Sequence, residues 1–132
     1  MNREIKFRVW DKINNCFFDW KEQYNTLVFN EGIPDRIILY DTGGVLEKDE
    51  FELMQFTGLL DKNGVEIYEG DIVKCKDGVM SNLSVHGPQK VEQEWTEEVK
   101  MIDGCWMCRY YLWEIEDREV IGNIYADKEL LK

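Results

Sequence analysis

The sequence predicts a mainly β protein, and three features carry that prediction. Near the start, apolar Ile5, Phe7 and Val9 alternate with other residues, which is the two-residue period of a half-buried strand. Near the middle, Asn63-Gly64 separates two apolar runs, and this dipeptide is the strongest short-range signal for a β-hairpin. Elsewhere, short apolar runs are bounded by Gly-, Asn- and Asp-rich segments, as is typical of strands joined by turns.

The first third of the chain favours a series of short strands. A turn-rich segment at residues 11–15 precedes an apolar run at residues 16–20, so the first strand and this run are expected to form a hairpin. Further strands are expected at residues 24–29 and 36–40, where Thr, Val, Ile and aromatic residues favour an extended backbone. The glycine pair at residues 43–44 then favours a turn.

The central hairpin is predicted to have strands at residues 51–60 and 65–68. Its turn ends in Asn63-Gly64, and a type I′ turn would place both of these residues at positive φ. Asn63 and Gly64 therefore have a structural explanation that requires no functional role.

Further positions are expected to shape the backbone after this hairpin. Gly70 allows a tight corner, and Asp71 is expected to accept hydrogen bonds from nearby backbone N–H groups. Gly122, inside a last strand at residues 120–125, is expected to let another backbone or a large side chain approach. Asp127 is expected to cap a short C-terminal helix through residue 131.

The stretch between these regions is less regular. Residues 76–88 contain Gly, Ser, Asn and Pro and are predicted to form a long loop. Residues 91–101 are compatible with a strand or a helix, and residues 105–115 are predicted to form a strand. Three aromatic side chains of that last segment are expected to face the core: Trp106, Tyr110 and Trp113.

The charge of the chain limits its classes of partner. It contains 27 acidic and 16 basic residues, which gives a formal net charge of −11. Phosphate backbones repel such a surface, so direct binding of DNA or RNA is not expected. The same charge would attract a basic protein partner.

Length and hydropathy predict a cytosolic protein. Its 132 residues suit a single domain. No apolar run approaches the roughly 20 residues of a membrane span, and no apolar segment follows Met1 as it would in a signal peptide. Because the cytosol keeps thiols reduced, free thiols are expected at all cysteines: Cys16, Cys75, Cys105 and Cys108.

A search for chemical motifs gives little. Cys105 and Cys108 form a C-x-x-C pair, but in one strand their Cα atoms would lie roughly 10 Å apart on opposite faces, too far for a disulfide. His86 has no evident catalytic partner. The turn at residues 61–64 does not fit a calcium loop, because Leu59 and Gly70 would fall at ligand positions. No catalytic residue, metal or cofactor is predicted.

Several blocks of sequence together resemble the YopX family of bacteriophage and prophage proteins. They are REIKFRVWD (3–11), LMQFTGL (53–59), DKNG (61–64), EIYEGDIV (66–73), VIGNIY (120–125) and ELL (129–131). The resemblance implies a phage or prophage origin, a bacterial cytosol, and a mainly β fold with an SH3-like barrel portion. It implies one domain over residues 1–132, in which an N-terminal β-hairpin portion (1–50) packs on a barrel-like portion (51–127). It transfers no activity, and residues 79–116 match no family pattern.

Three functional hypotheses follow. The first is a protein-binding or adaptor module, with an exposed tryptophan among glutamates as its candidate site: Trp95, Glu92, Glu94, Glu97 and Glu98. Self-assembly into homo-oligomers is a variant of it. The alternative is a DNA mimic whose carboxylates occupy the site of a DNA-binding protein, and an enzyme or metal protein ranks third.

Overall fold

The computed structural model describes residues 6–17, 25–39, 43–81 and 87–131, which form mainly β-strands. The mainly β prediction is confirmed, and the predicted barrel portion takes the form of a curled half-barrel sheet. The contacts divide the chain into two compact units, Lys6–Gln55 and the chain from Phe56 onwards. The strands that begin in the first unit are β1 (Phe7–Asp11), β2 (Cys16–Phe17), β3 (Asn25–Asn30), β4 (Ile33–Leu39), β5 (Val45–Glu47) and β6 (Phe51–Leu60), and β6 continues into the second unit.

The described part of the second unit contains seven further strands and two short 3₁₀ turns. Its strands are β7 (Glu66–Tyr68), β8 (Asp71–Ser81), β9 (Gln89–Glu98), β10 (Lys100–Ile102), β11 (Cys105–Cys108), β12 (Tyr110–Tyr111) and β13 (Asp117–Asn123). Its 3₁₀ turns are Leu112–Glu114 and Lys128–Leu131. The C-terminal helix predicted from the sequence is therefore present as one 3₁₀ turn.

The first unit contains the predicted N-terminal hairpin. β1 pairs antiparallel with β2, and on its other side with the first half of β6. Val9 and Trp10 are both buried, so β1 is covered on both faces and does not alternate as the sequence suggested. β3, β4 and β5 form a separate sheet in that order. The buried apolar cluster of this unit consists of Val9, Ile37, Leu46 and Phe51.

The central hairpin forms, but the predicted type of its turn is wrong. Gly64 has a φ of +82°, whereas Asn63 does not have a positive φ. Asp61 N donates to Val65 O (2.7 Å) and Gly64 N donates to Asp61 O (3.0 Å), which closes a three-residue loop with glycine in the left-handed position. The Asp61 side chain selects this loop, because its Oδ1 accepts hydrogen bonds from Asn63 N (2.8 Å) and Val65 N (2.9 Å).

Asp61 also fixes this hairpin to β13. Its Oδ2 accepts from Val120 N (3.0 Å), while Arg118 Nε donates to Leu60 O (2.9 Å) and Lys62 N donates to Arg118 O (2.9 Å). Burial alone would raise the pKa of the Asp61 carboxyl, but the three backbone N–H donors and the Arg118 charge outweigh it. The pKa of Asp61 is therefore held below its ordinary value of 3.8.

β8 and β9 form a long antiparallel ribbon where the sequence predicted a loop. Residues 76–81 belong to β8, and β9 begins at Gln89; residues 82–86 lie outside the described part of the chain. Residues 91–98 are strand, which resolves the strand-or-helix alternative. The loop prediction failed because continuous backbone pairing extends the strands through residues such as Gly78 that have weak β propensity.

Of the remaining predicted backbone positions, Gly70, Asp71 and Gly122 behave as expected and Asp127 does not. Asp71 Oδ2 accepts from Tyr68 N (2.8 Å), and Gly70, at the corner, exchanges backbone hydrogen bonds with Val99 and Ile124. Gly122 admits a close neighbour: a Cβ there would overlap the side chain of Asp127. That carboxylate accepts from Asn123 N (3.2 Å), so Asp127 braces β13 rather than showing the predicted cap of the last helix.

The core of the second unit lies between β8, β9 and β11. β13, β8 and β9 form one sheet in that order, and β10, β11 and β12 form another. The buried apolar cluster of this unit consists of Ile67, Val73, Cys75, Trp95, Val99, Cys108, Leu112 and Ile115.

Candidate functional site

The tryptophan predicted to be an exposed anchor is part of the core. Trp95 is only 5% exposed, and its Nε1 donates to the carbonyl oxygen of Cys108 (2.9 Å). Tyr110 packs against it edge-on, with ring centroids 5.4 Å apart. The expectation of an exposed Trp95 is therefore wrong, because its position in β9 faces Cys75 of β8 and the apolar cluster.

The four glutamates predicted to surround that tryptophan do not form one patch. Glu94 lies 2.9 Å from Lys74 Nζ and 3.8 Å from Lys76 Nζ. The hydrogen bond with Lys74 lowers the pKa of Glu94. Glu97 pairs with Arg109 (3.5 Å), whereas the remaining members are an exposed Glu92 and a half-buried Glu98.

Arg109 is the one-residue connection between β11 and β12, and it has a φ of +81°. Left-handed backbone is unfavourable for a residue with a long side chain. Contacts with β9 hold it: Arg109 Nε lies 3.5 Å from Glu97 Oε2, and its guanidinium carbon lies 5.6 Å from the Trp95 ring centroid. This sharp reversal decides which aromatic residues of the following segment face outward.

The C-x-x-C pair is separated by the fold, as the sequence predicted. Cys105 and Cys108 lie in one strand, β11, where Cys108 is buried and Cys105 is half-buried. Cys108 instead faces Cys75, with the two Sγ atoms 3.8 Å apart inside the core. The hydrogen bond with Cys108, together with burial, raises the pKa of the Cys75 thiol, which disfavours the reactive thiolate.

The sheet of β10, β11 and β12 has one core face and one outward face. Residues directly opposite each other in antiparallel strands share a face, and Ile102 pairs with Cys105 while Met107 pairs with both Lys100 and Tyr111. The outward face therefore carries Lys100 and an apolar set. We call it the aromatic face; it consists of Ile102, Cys105, Met107, Tyr111 and Trp113.

Trp113 completes the aromatic face from outside the sheet. It lies in the 3₁₀ turn, is 64% exposed and stacks on Tyr111 with ring centroids 6.1 Å apart. Tyr111 is itself 44% exposed. The prediction that Tyr110 and Trp113 are core residues is wrong, since both are exposed; Trp106 does pack against the core.

One overlooked sequence signal could have revealed the aromatic face. Asp103-Gly104 lies between β10 and β11, and both residues have positive φ (+50° and +81°), as a type I′ hairpin turn requires. The signal marks a reversal at residue 104, which divides the region into hairpin strands. Nothing in the sequence signals the second reversal at Arg109.

A second surface feature lies beside the ribbon. A cleft of about 260 Å³ opens between the outer part of β8 and β9 and the segment that leads into β13. We call it the acidic cleft. It is lined by five carboxylates, Asp77, Glu92, Glu114, Glu116 and Asp117, against two lysines, Lys76 and Lys90.

Other classes of site find no geometric support in the described ranges. Among those residues, no three or more His, Cys, Asp or Glu side chains are arranged to hold a metal ion. The helices within them lack the length and apolar content of a membrane span. His86 lies outside the described residues.

Comparison with known proteins identifies the family. The sequence profile described as "YopX protein" matches residues 6–132, which is nearly the whole chain. The chain belongs to the YopX family. The resemblance read from the sequence blocks is thereby confirmed, and the YopX match includes both compact units from residue 6 onwards.

A solved structure supports the fold of this YopX protein. The chain is similar to the crystal structure of protein EF1440 from Enterococcus faecalis, with a TM-score of 0.65 and 24% sequence identity. The similarity covers 99% of this chain and 100% of that chain. At this identity it establishes the fold and nothing about activity. No curated protein matches the sequence.

Proposed function

We propose that this YopX protein is a protein-binding module that acts in the bacterial cytosol, with a phage or prophage origin. The origin and location rest on the family resemblance and on the sequence. The binding function rests on one observation: the aromatic face presents Ile102, Tyr111 and Trp113, each more than two-fifths exposed, on one side of a small sheet.

A contiguous exposed apolar surface is costly in water and is typical of an interaction site. Tryptophan and tyrosine supply large contact areas at low entropic cost, and they dominate binding energy in many interfaces. The partner expected here is a protein with a complementary apolar surface. A mainly basic rim would suit it, because Asp103 and Glu114 adjoin Ile102 and Trp113 in the sequence and the chain carries a net charge of −11; an acidic group would suit the position opposite Lys100.

The test uses the full chain immobilised and exposed to bacterial host lysate, with and without nuclease, over a salt series. The double variant Tyr111→Ser/Trp113→Ser should lose the retained protein, because it removes the stacked pair. Phe29→Ser is the matched control, since Phe29 is 52% exposed in the other unit. Retention that is equal in both variants and the wild type would show that the aromatic face is not the binding surface.

DNA mimicry is the second candidate, and the net charge of −11 favours it. The ion pairs of Glu94 with Lys74 and Lys76 interrupt the row of carboxylates along β9, which weakens its likeness to a phosphate backbone. A retained DNA-handling protein that duplex DNA displaces would favour mimicry. Such retention would fall steeply with salt and would persist in the aromatic-face double variant.

A further inference from the structure

β8 has an open edge beside the acidic cleft. β9 pairs with β8 along its whole length, from Ile72 opposite Glu98 to Ser81 opposite Gln89. β13 covers the other edge of β8 only as far as Lys76. Within the described residues, no strand pairs with this edge at residues 77–81, so its backbone donors and acceptors are available to another strand.

One donor on this stretch shows how the edge is satisfied at present. Gly78 N donates to Oδ1 of the preceding residue, Asp77, at 2.8 Å. Such a local side-chain hydrogen bond competes with strand pairing, and a carbonyl of an added strand can replace it. The side chain of Lys90 lies across Gly78, in the space that a Cβ would fill. A strand added at this edge would displace both side chains from Gly78, and the Asp77 carboxylate and the Lys90 ammonium would then be free to contact the added strand.

The charge beside this edge specifies the chemistry of the occupant. Five carboxylates of the acidic cleft face two lysines. Four of those carboxylates have no ion-pair partner among the described residues: Asp77, Glu92, Glu114 and Glu116. An incoming segment with lysine or arginine side chains would meet unneutralised negative charge in the cleft that Asp77 and Gly78 of this edge help to line.

We propose that the open edge of β8 at residues 77–81 binds an extended, basic peptide segment of a partner protein as an added β-strand. The inference rests on the proposed protein-binding function and names a second surface and a class of partner segment. In strand addition, main-chain hydrogen bonds supply affinity and alternate side chains supply specificity. Alternation would direct every second side chain of the segment toward Glu114 and Glu116.

A second copy of this chain does not suit the edge. Pairing two copies there would bring Asp77 and the carboxylates of the acidic cleft close to the same groups of the other copy. Like charges placed together disfavour association, and charged side chains on an edge strand commonly prevent self-pairing. The occupant is therefore a basic segment of another protein.

The test measures binding of synthetic peptides to the ¹⁵N-labelled full chain by NMR. The probe is a peptide of about six residues that alternates lysine with valine or threonine, the usual length of a strand. One control peptide has glutamate in place of lysine. Another carries N-methyl groups on alternate amides, which removes the donors on one edge. The basic peptide should shift the amide signals of Asp77 and Gly78 saturably, and both controls should bind at least about tenfold more weakly.

Protein variants test the role of the acidic cleft. Glu114→Gln/Glu116→Gln should weaken binding of the basic peptide about three- to tenfold at low salt. Glu129→Gln, an exposed change elsewhere in the same unit, should leave it unchanged. Equal binding of the N-methylated peptide, saturable shifts confined to other residues, or no saturable binding at millimolar peptide would overturn the proposal.

The outcome is separable from that of the proposed function. Tyr111→Ser/Trp113→Ser should leave peptide binding intact, because those residues lie outside the edge of β8. Failure of the peptide, combined with lysate capture that depends on the aromatic face, would remove strand addition and keep the protein-binding function. Binding of the peptide without any lysate capture through the aromatic face would keep the edge and remove that face.

Discussion

β8 pairs with β9 along the whole ribbon, but the two halves of the ribbon differ in burial and in the number of strands that flank β8. In the inner half, β13 flanks β8 from Asp71 to Lys76, and Val73 and Cys75 are completely buried. In the outer half, which we define as residues 77–81 with residues 89–93, only β9 pairs with β8 among the described residues, and the side chains described on β9 are exposed.

The comparison shows how one pair of strands can serve both stability and binding. The inner half gains stability from apolar burial and from strand neighbours on both sides. A two-stranded ribbon is only marginally stable alone, so the outer half contributes little to folding and keeps a free edge. The predictions below test this difference, beginning with the contact that attaches β13.

The largest effect is expected for Asp61→Asn, which disturbs the attachment of β13 to the inner half. The change weakens hydrogen bonds from Asn63, Val65 and Val120 N–H groups to a carboxylate, and should lower the free energy of unfolding by about 3 kcal/mol at neutral pH. Urea denaturation of both proteins measures the difference. A loss below about 1 kcal/mol would show that β13 is held mainly by other contacts.

The same pair of proteins has a predicted pH dependence. The pKa of Asp61 is lower in the folded state than its ordinary value of 3.8, so its contribution is complete above 3.8 and is lost as the pH falls through the folded-state pKa. The stability difference between wild type and Asp61→Asn should therefore be constant near neutrality and shrink in the acid range. A difference that grows on acidification would contradict the assignment.

A matched pair of valine substitutions compares the two halves directly. Val73→Ala removes buried methyl groups and leaves a cavity, so it should cost about 2 kcal/mol of unfolding free energy. Val91→Ala makes the same change at a 47% exposed position of the outer half and should stay within about 0.5 kcal/mol of wild type. Equal losses would mean that the outer half is as tightly packed as the inner half.

Two substitutions of Arg109 test the contact between β9 and the connection that follows β11. Arg109→Ala and Arg109→Gly both lose the contacts with Glu97 and Trp95, but only alanine retains the unfavourable φ of +81°. The glycine variant should therefore be about 1 kcal/mol more stable than the alanine variant. Thermal and urea unfolding give the order, and a more stable alanine variant would show that the connection has relaxed to another conformation.

The smallest effect is expected at the open edge itself. Asp77→Ala removes an exposed side chain whose described hydrogen bond is to the neighbouring Gly78 N, so stability should change by no more than about 0.5 kcal/mol. Amide hydrogen exchange at Gly78 should nevertheless accelerate, because its local acceptor is gone. Unchanged exchange would indicate that Gly78 N–H has another partner.

Much of the local structure could be predicted from the sequence. The first hairpin, the strand over residues 51–60 and the last strand follow from alternation, β propensity and turn residues, all of which act between near neighbours. Even there, the turn at Asn63-Gly64 differs from the prediction. The Asp61 carboxylate collects the loop amides of Asn63 and Val65 and stabilises a different turn.

The candidate site was largely beyond prediction. Trp95 was expected to be exposed and Trp113 to be buried, and the reverse is true. A run of aromatic residues indicates a strand but not which face is covered, since the cover comes from β8, far along the chain. The reversal at Arg109 also changes which residues share a face, and no local signal marks it.

The sequence by itself determined the strand content, most of the turns, the acidic charge and the family resemblance, because these depend on composition and on neighbours within a few residues. Only the tertiary structure decided that Trp95 is buried, that Trp113 is exposed and that β8 keeps an open edge beyond Lys76. The physical reason is that burial and strand pairing depend on segments distant in sequence. The pairing between β13 and β8 ends at Lys76, one residue before Asp77. The length of β13 therefore sets where the stable sheet ends and the available edge begins.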